Sequence, residues 1–440
     1  MKRKLIFLLS IIFSLMIVLP IFASCNSTDY LKIANVADYI WIDEESENPT
    51  NMIDRFKQYY REITGRNIKV FYDSSFLAPE GMMTKSQTSD YDLICPSDYV
   101  IEKMINLKQL KPLATDLGKD VNGNQIEDYR HQISPLIENR LEFDPGFKYS
   151  YPYMWGTVGI SFNRTHLELM AKNKPELLND VNENGYPDIV ESWDILWDKQ
   201  FKGRIMMKNS QRDAFMIAAI HQSLSNGKYK SSADQQYPDV QTVYDIINNS
   251  SISFINQVKQ QLIEHSYVSY GLEGDEGKIQ VITNEKLIGI PQWGGDAFYS
   301  ITEAKEYNKV MDYYVPNEGS SIFCDAWCIP KNAKNDKAAN LFINFMAKPE
   351  IAIDNMDYIG YNTCCNAPEV IDYLNETYAE EDEIDLSYFI GGDTPIYVKV
   401  DTRQFPDLDT INRCAPLKAF SDEAEQYLTN AWIEFIASQM

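Results

Sequence analysis

Between residues 30 and 107 short apolar runs alternate with helical spacing, and this rhythm narrows the fold more than any other feature of the chain. Residues 30–35 read as a strand, and residues 51–64 carry apolar side chains at amphipathic-helix spacing before stopping at Gly65, a residue suited to the left-handed turn that ends helices. Residues 68–72 give a second strand, Tyr91-Asp92-Leu93-Ile94-Cys95 a third, closed by Pro96, and residues 99–107 the helix behind it. Strand and helix in alternation predict an α/β protein: a mixed, mostly parallel sheet flanked by helices, with ligand sites in loops beyond the strand carboxyl ends. Asp38, Tyr39 and Ser97 stand in such loops.

A second α/β block begins after the stretch 149–156, with strands near 158–162 and 203–207, helices over 212–223 and 240–248, and a strand at 287–290. A strand at 321–329 and a helix at 334–346, closed by Pro349, return to the first sheet. The chain therefore divides into two lobes.

The first 24 residues stand outside that fold. Lys2, Arg3 and Lys4 precede an apolar run over 5–22, which ends in Ala23 and Ser24 before Cys25. The run is long enough for a membrane helix, but its small-residue flank is that of a cleaved export signal. Phe22-Ala23-Ser24-Cys25 resembles the lipobox of bacterial lipoproteins, with Phe22 in place of the usual Leu; the resemblance implies a lipid on Cys25, a tether over 25–30 and a periplasmic or cell-surface location. With 40 basic and 64 acidic side chains the net charge is -24, which excludes nucleic acid as a partner and favours neutral or cationic ones. The six cysteines beyond Cys25 follow no zinc spacing. They read as small buried thiols, with a bridge from Cys324 or Cys328 to Cys364 or Cys365 left open in an exported protein.

No G-x-S-x-G, catalytic Cys/His or phosphate-cradling glycine motif occurs, so nothing argues for an enzyme. What recurs is an aromatic residue beside an acid in a loop: Asp38-Tyr39, Ser97-Asp98-Tyr99, Trp293 with Asp296, Phe323 with Asp325, and Tyr361 after Ile359-Gly360. Aromatic faces attract cations by ~0.5 to 2 kcal/mol, and carboxylates pair with ammonium groups directly. An organic cation fits the set, although for any one pair core packing beside a solvated acid is the commoner explanation.

The pairs gain meaning together. Asn35-Val36-Ala37-Asp38-Tyr39-Ile40, Tyr91-Asp92-Leu93-Ile94-Cys95-Pro96-Ser97, Tyr151-Pro152-Tyr153-Met154-Trp155-Gly156, Ser192-Trp193-Asp194-Ile195-Leu196-Trp197, Gln292-Trp293-Gly294-Gly295-Asp296-Ala297 and Ile359-Gly360-Tyr361 resemble, in order and spacing, the spermidine/putrescine-binding proteins of bacterial ABC importers. The resemblance spans residues 31–370 and implies a periplasmic-binding-protein fold closing on a polyamine about a hinge. It sets lobe 1 at 31–158 and 324–366, lobe 2 at 159–323 and 367–440, and the ligand contacts at Asp38, Tyr39, Ser97, Asp213, Trp293, Asp296, Phe323, Asp325 and Tyr361. Permease subunits with a cytoplasmic ATPase are the implied partners, and the protein is expected to be a monomer. Val36 departs from the family's Trp, Ser210 from an acid frequent in spermidine binders, and Phe323 from a Trp; Phe323 with Asp296 looks more like the putrescine type. Ligand length stays open between putrescine and spermidine. Another cationic or polar solute is the nearest alternative, and a secreted hydrolase using Asp296 and Asp325 as acid and base is the alternative from a different class.

Two further segments look like calcium loops. Residues 180–191 satisfy D-x-[DN]-x-[DN]-G-x5-E, offering Asp180, Asn182, Asn184, the Tyr186 carbonyl, Asp188 and Glu191, whereas 120–131 lacks the glycine and carries His131 at the twelfth place. An Asn/Asp-rich surface turn is the competing reading for both. No cofactor is expected beyond a structural calcium ion.

Overall fold

The computed structural model describes residues 28–42, 51–76, 79–273 and 276–439. The export segment and Cys25 lie outside the described residues. Strand β1 (Asp29–Val36) pairs in parallel with β2 (Ile68–Phe76) on one side and β3 (Leu93–Ile94) on the other. Parallel neighbours need a crossover, and the helix Met52–Thr64 supplies it. Asn51 caps that helix by accepting the Asp54 N–H at 2.9 Å, and Gly65 at φ 69° ends it. Its buried Phe56 packs edge-on against Phe342, ring centres 4.9 Å apart. Phe342 belongs to the helix Asp336–Met346, so this late helix returns to the first sheet as the patterning predicts.

After β3 come β4 (Leu110–Lys111), β5 (Ser150–Asn163), β6 (Met206–Lys208), β7 (Gly271–Glu273), β8 (Gly289–Trp293), β9 (Met311–Tyr314), β10 (Ser320–Pro330) and β11 (Asn362–Thr363). The fully buried β5 is shared between the lobes. Up to Thr157 it pairs antiparallel with β10 and β11; from Val158 onward it pairs antiparallel with β8 and β9. The chain leaves the first lobe on β5 and comes back on β10, which is why these two long strands run in opposite directions inside a sheet whose β1–β3 region is parallel. Two large cores flank the shared strands, with a smaller cluster around Ile94, Ile101 and Cys328. One gathers Phe56, Trp155, Trp327 and Phe342, the other Phe162, Trp193, Phe215 and Phe435. The protein is therefore a two-lobed α/β molecule. The last residues serve both cores, with Val370, Leu374, Phe389 and Phe405 in the first and Leu417, Phe420, Leu428 and Phe435 in the second.

Pro349 does more than stop a helix. It occupies the first turn of the next one, Pro349–Ile359, where its missing N–H costs nothing. Gly360, left-handed at φ 79°, ends that helix and delivers Tyr361 to the space between the lobes. The six cysteines from Cys95 to Cys414 are buried free thiols. Cys324 and Cys364 come closest, their sulfurs 3.7 Å apart, well beyond the ~2.05 Å of a disulfide. Among the described residues no helix is long and apolar enough to cross a membrane.

Candidate functional site

β10 builds one wall of a cavity between the lobes. Alternate strand residues share a face, so Phe323 and Asp325 both line the cavity while Cys324 between them is buried in the core. Register against β5 slips at the Asp325–Ala326 step, where Met154 and Pro152 are the partners and Tyr153 is passed over, a bulge that re-aims the strand beside the site. Asp325 is gripped from two loops: Ser97 Oγ donates to Oδ1 at 2.5 Å and Tyr39 Oη to Oδ2 at 2.7 Å. Tyr39 follows the end of β1, reached through Asp38 in the left-handed conformation at φ 51°, which an aspartate tolerates better than most residues. Asp98 is turned away, accepting the N–H of Tyr99 at 2.7 Å and of Cys324 at 3.3 Å, so that it ties its helix to β10. Burial pushes its carboxyl up to about 8.

The opposite wall is made where strands of the second lobe hand over to helices. Trp293 ends β8, and Gly294-Gly295-Asp296 opens the helix Gly294–Glu303. The Trp293 indole N–H donates to Asp213 Oδ2 at 3.2 Å. Asp213 lies in the first turn of the helix Gln211–Leu224, whose cap Ser210 accepts its backbone N–H at 3.4 Å. Gly295 is required by contact: a Cβ there would stand 2.1 Å from the Tyr361 ring. Rings then run in series across the cleft, with centres 6.5 Å apart for Trp293 and Phe323, 6.3 Å for Phe323 and Tyr361, and 4.7 Å for Tyr361 and Tyr39.

All nine residues singled out as ligand contacts line this one cavity of about 110 Å³, as do the divergent Val36 and Ser210. The space suits a small solute. Three charged residues that sequence reasoning missed line it too: Lys208, Glu273 and Lys278. Lys208 and Glu273 face each other across the β6–β7 pair, their charged atoms 2.7 Å apart. Lys208 Nζ is also 3.9 Å from Asp296 and 3.6 Å from the centre of the Trp293 ring. Lys278 bridges Asp38 at 3.1 Å and Asp296 at 3.7 Å. A lysine closing the apolar run Met206-Met207 was the available signal, but Glu273 sits in a three-residue strand too short to leave a pattern.

Burial governs the electrostatics. It raises the Asp325 carboxyl to about 6 against the hydrogen bonds of Ser97 and Tyr39, with the Asp213 charge adding to the rise. Burial likewise raises Asp213, and raises Glu273 to about 6 in spite of Lys208. Among the described residues neither Asp213 nor Asp325 belongs to an ion pair within 4 Å, whereas Asp38, Glu273 and Asp296 all do. Two desolvated carboxylates of like charge, set among aromatic rings, are a receptor for a cation with an apolar stem.

The 180–191 loop lies in the second lobe. Asp180 accepts the backbone N–H groups of Asn184 and Gly185, Asp188 accepts that of Val181, and the Tyr186 ring packs on Tyr314. Glu191 is fully buried and accepts the side-chain amides of Asn182, Asn184 and Asn317. Among the described residues no three His, Cys, Asp or Glu side chains are arranged to hold a metal ion. The 120–131 segment forms a tight turn around Asp120, whose carboxylate accepts the N–H groups of Asn122 and Asn124.

Two lobes, a shared pair of strands and a polar, ring-lined cleft between them define a solute-binding protein. Residues 52–378 match the family model for bacterial extracellular solute-binding proteins, and the chain belongs to that family. It is 26% identical to the spermidine/putrescine-binding periplasmic protein of Escherichia coli over 344 residues, covering 78% of this chain and 79% of that one. To the putrescine-binding periplasmic protein SpuD of Pseudomonas aeruginosa it is 23% identical over 349 residues, 77% of this chain and 79% of the other. Among solved structures, a putative spermidine/putrescine ABC transporter protein of Listeria monocytogenes superposes with a TM-score of 0.66 at 24% identity, over 93% of this chain and 99% of its own. The spermidine/putrescine substrate-binding protein PotD of Streptococcus pneumoniae, crystallised with calcium and HEPES, gives 0.60 at 25% identity, over 94% and 100%.

Proposed function

We propose that this protein is an exported binding protein that captures a polyamine between its lobes and delivers it to an ABC importer, a permease driven by a cytoplasmic ATPase. The observation that carries the reading is the pair Asp213 and Asp325, two cleft carboxylates outside any ion pair among the described residues and bordered by Trp293 and Phe323. A polyamine supplies ammonium groups to the acids and methylenes to the rings, and no bond need be made or broken. Micromolar binding requires ~8 kcal/mol, within reach of a few desolvated ion pairs and stacked rings after association costs. Calorimetric titration with putrescine, cadaverine, spermidine and spermine tests it; no heat and no melting shift with any of them at millimolar concentration sinks the reading.

Affinity should depend on pH in a direct sense. The ligand amines stay charged far above neutrality, so the titration belongs to the cleft carboxylates: Asp325, at about 6, and Asp213, raised in the same direction. Above about pH 7 binding is flat; as pH falls through about 6 the Asp325 carboxyl takes up a proton and affinity drops by up to about tenfold per unit. The ligand-free fold moves the other way. The folded state binds this proton more readily than the unfolded chain does, so acidification from 7 towards 5 stabilises the empty protein. Affinity that holds level from pH 7.5 to 5 would remove Asp325 from the site.

We infer further that Cys25 is lipidated after cleavage of the export signal. Cys25→Ser should appear in the soluble fraction, and a substituted protein that stays membrane-bound and uncleaved makes the apolar run an anchor helix instead. For the 180–191 loop we infer a structural calcium site. Asn182, Asn184 and Glu191 already converge, and turning both amides over would present oxygens to a cation in place of N–H groups to Glu191, with the loop backbone shifting because these oxygens now accept the N–H groups of Asn184 and Tyr186. Millimolar calcium should then raise the melting temperature by mass action and leave amine affinity unchanged. Identical melting curves with calcium and with chelator would leave a polar turn.

A further inference from the structure

We propose that Lys208 is a resident ammonium that fills one amine position of the cleft and so makes the site selective for a short diamine over a triamine. The inference rests on the polyamine reading and supplies the ligand length which that reading leaves open.

A lysine side chain is seldom buried unless it is paired, and that of Lys208 is only 4% exposed. It extends from the end of β6, behind the buried Met206 and Met207, and places its Nζ 3.6 Å from the centre of the Trp293 ring. That ring face is where a ligand ammonium would gain its cation–π attraction, and the position is taken. Its carboxylate partners are taken as well. Glu273 is in contact at 2.7 Å, and Asp296 is shared between Lys208 at 3.9 Å and Lys278 at 3.7 Å.

Cleft charge thus falls into two parts. Asp38, Glu273 and Asp296 face two fixed ammonium groups, while Asp213 and Asp325 face none within ion-pair distance among the described residues. A ligand with two ammonium groups can serve the second part. One with a third group further along its chain would have to put that charge against Lys208 or expel the lysine from a buried pair, and like charges in a water-poor cleft repel strongly. Removing the lysine charge reverses this, because Glu273 and Asp296 then need a cation that only the longer ligand brings.

The test is calorimetric titration of the parent and of Lys208→Met, similar in length but uncharged, with putrescine and spermidine at pH 7.5. Circular dichroism melting checks that each protein is folded, and Lys208→Gln replaces the methionine variant if that one is not. The parent is expected to favour putrescine at least tenfold, and the substitution to raise the spermidine-to-putrescine affinity ratio at least tenfold. A parent that favours spermidine, or an unchanged ratio in a folded variant that binds, overturns the inference while leaving the polyamine reading intact. If neither amine binds the folded parent, both fall together.

Discussion

Asp325→Asn is expected to weaken amine binding by about thirtyfold to several thousandfold, the equivalent of ~2 to 5 kcal/mol for removing one partner of a desolvated charge pair. The substitution keeps the shape of the side chain but removes the charge, and it leaves only one accepting oxygen where Ser97 and Tyr39 now each donate to their own. Two effects therefore act in one direction: a ligand ammonium loses its counter-charge, and one of the two loop hydroxyls must give up its charge-assisted bond and turn to accept from the amide. Asp98→Asn is the control. That carboxyl ties Tyr99 and Cys324 and does not line the cavity, so its replacement should move the melting temperature more than the affinity. Equal affinities for the parent and both variants, measured by calorimetry, would show that ligand binds elsewhere.

Gly295→Ala should be nearly as damaging, although it removes no charge. Its new methyl group would overlap the Tyr361 ring, which cannot simply recede because Tyr39 stands edge-on 4.7 Å away and Phe323 lies beyond. Overpacking of this kind costs ~1 to 3 kcal/mol. Relief requires Tyr361 or the start of the helix Gly294–Glu303 to move, and that helix carries Asp296. Amine affinity is expected to fall about five- to a hundredfold on that energy scale, with a lower melting temperature. A crystal structure of the variant with Tyr361 in place, together with parental affinity, would contradict the packing argument.

Much of the frame was legible because its signals are local. Asn51 and Gly65 bracket a helix through hydrogen bonds that reach only a few residues, so their spacing marked its ends. Alternation along a strand put Phe323 and Asp325 on one face whatever the fold around them. Six of the nine contacts stand in motifs that resemble a known family and Asp213, Phe323 and Asp325 were placed by position in that resemblance; all nine line one cavity. Pro349 shows the limit of such signals, since the same fixed φ that bars it from a helix interior suits the first turn of a new one, and only the path of the chain chooses.

What the amino-acid order determined by itself is therefore the set of elements, their caps and the side chains that share a face, because these depend on neighbours within a few residues. The tertiary structure decided which charges meet. Lys208 and Glu273 are 65 positions apart and Lys278 and Asp38 are 240, so no local pattern announces either pair. It also decided that Ser97 reaches into the cleft while the adjacent Asp98 is spent on holding β10, and that burial lifts Asp325 to about 6. Desolvation and ion pairing depend on what the fold brings alongside a group, and in this cleft that came from nine separate stretches of chain.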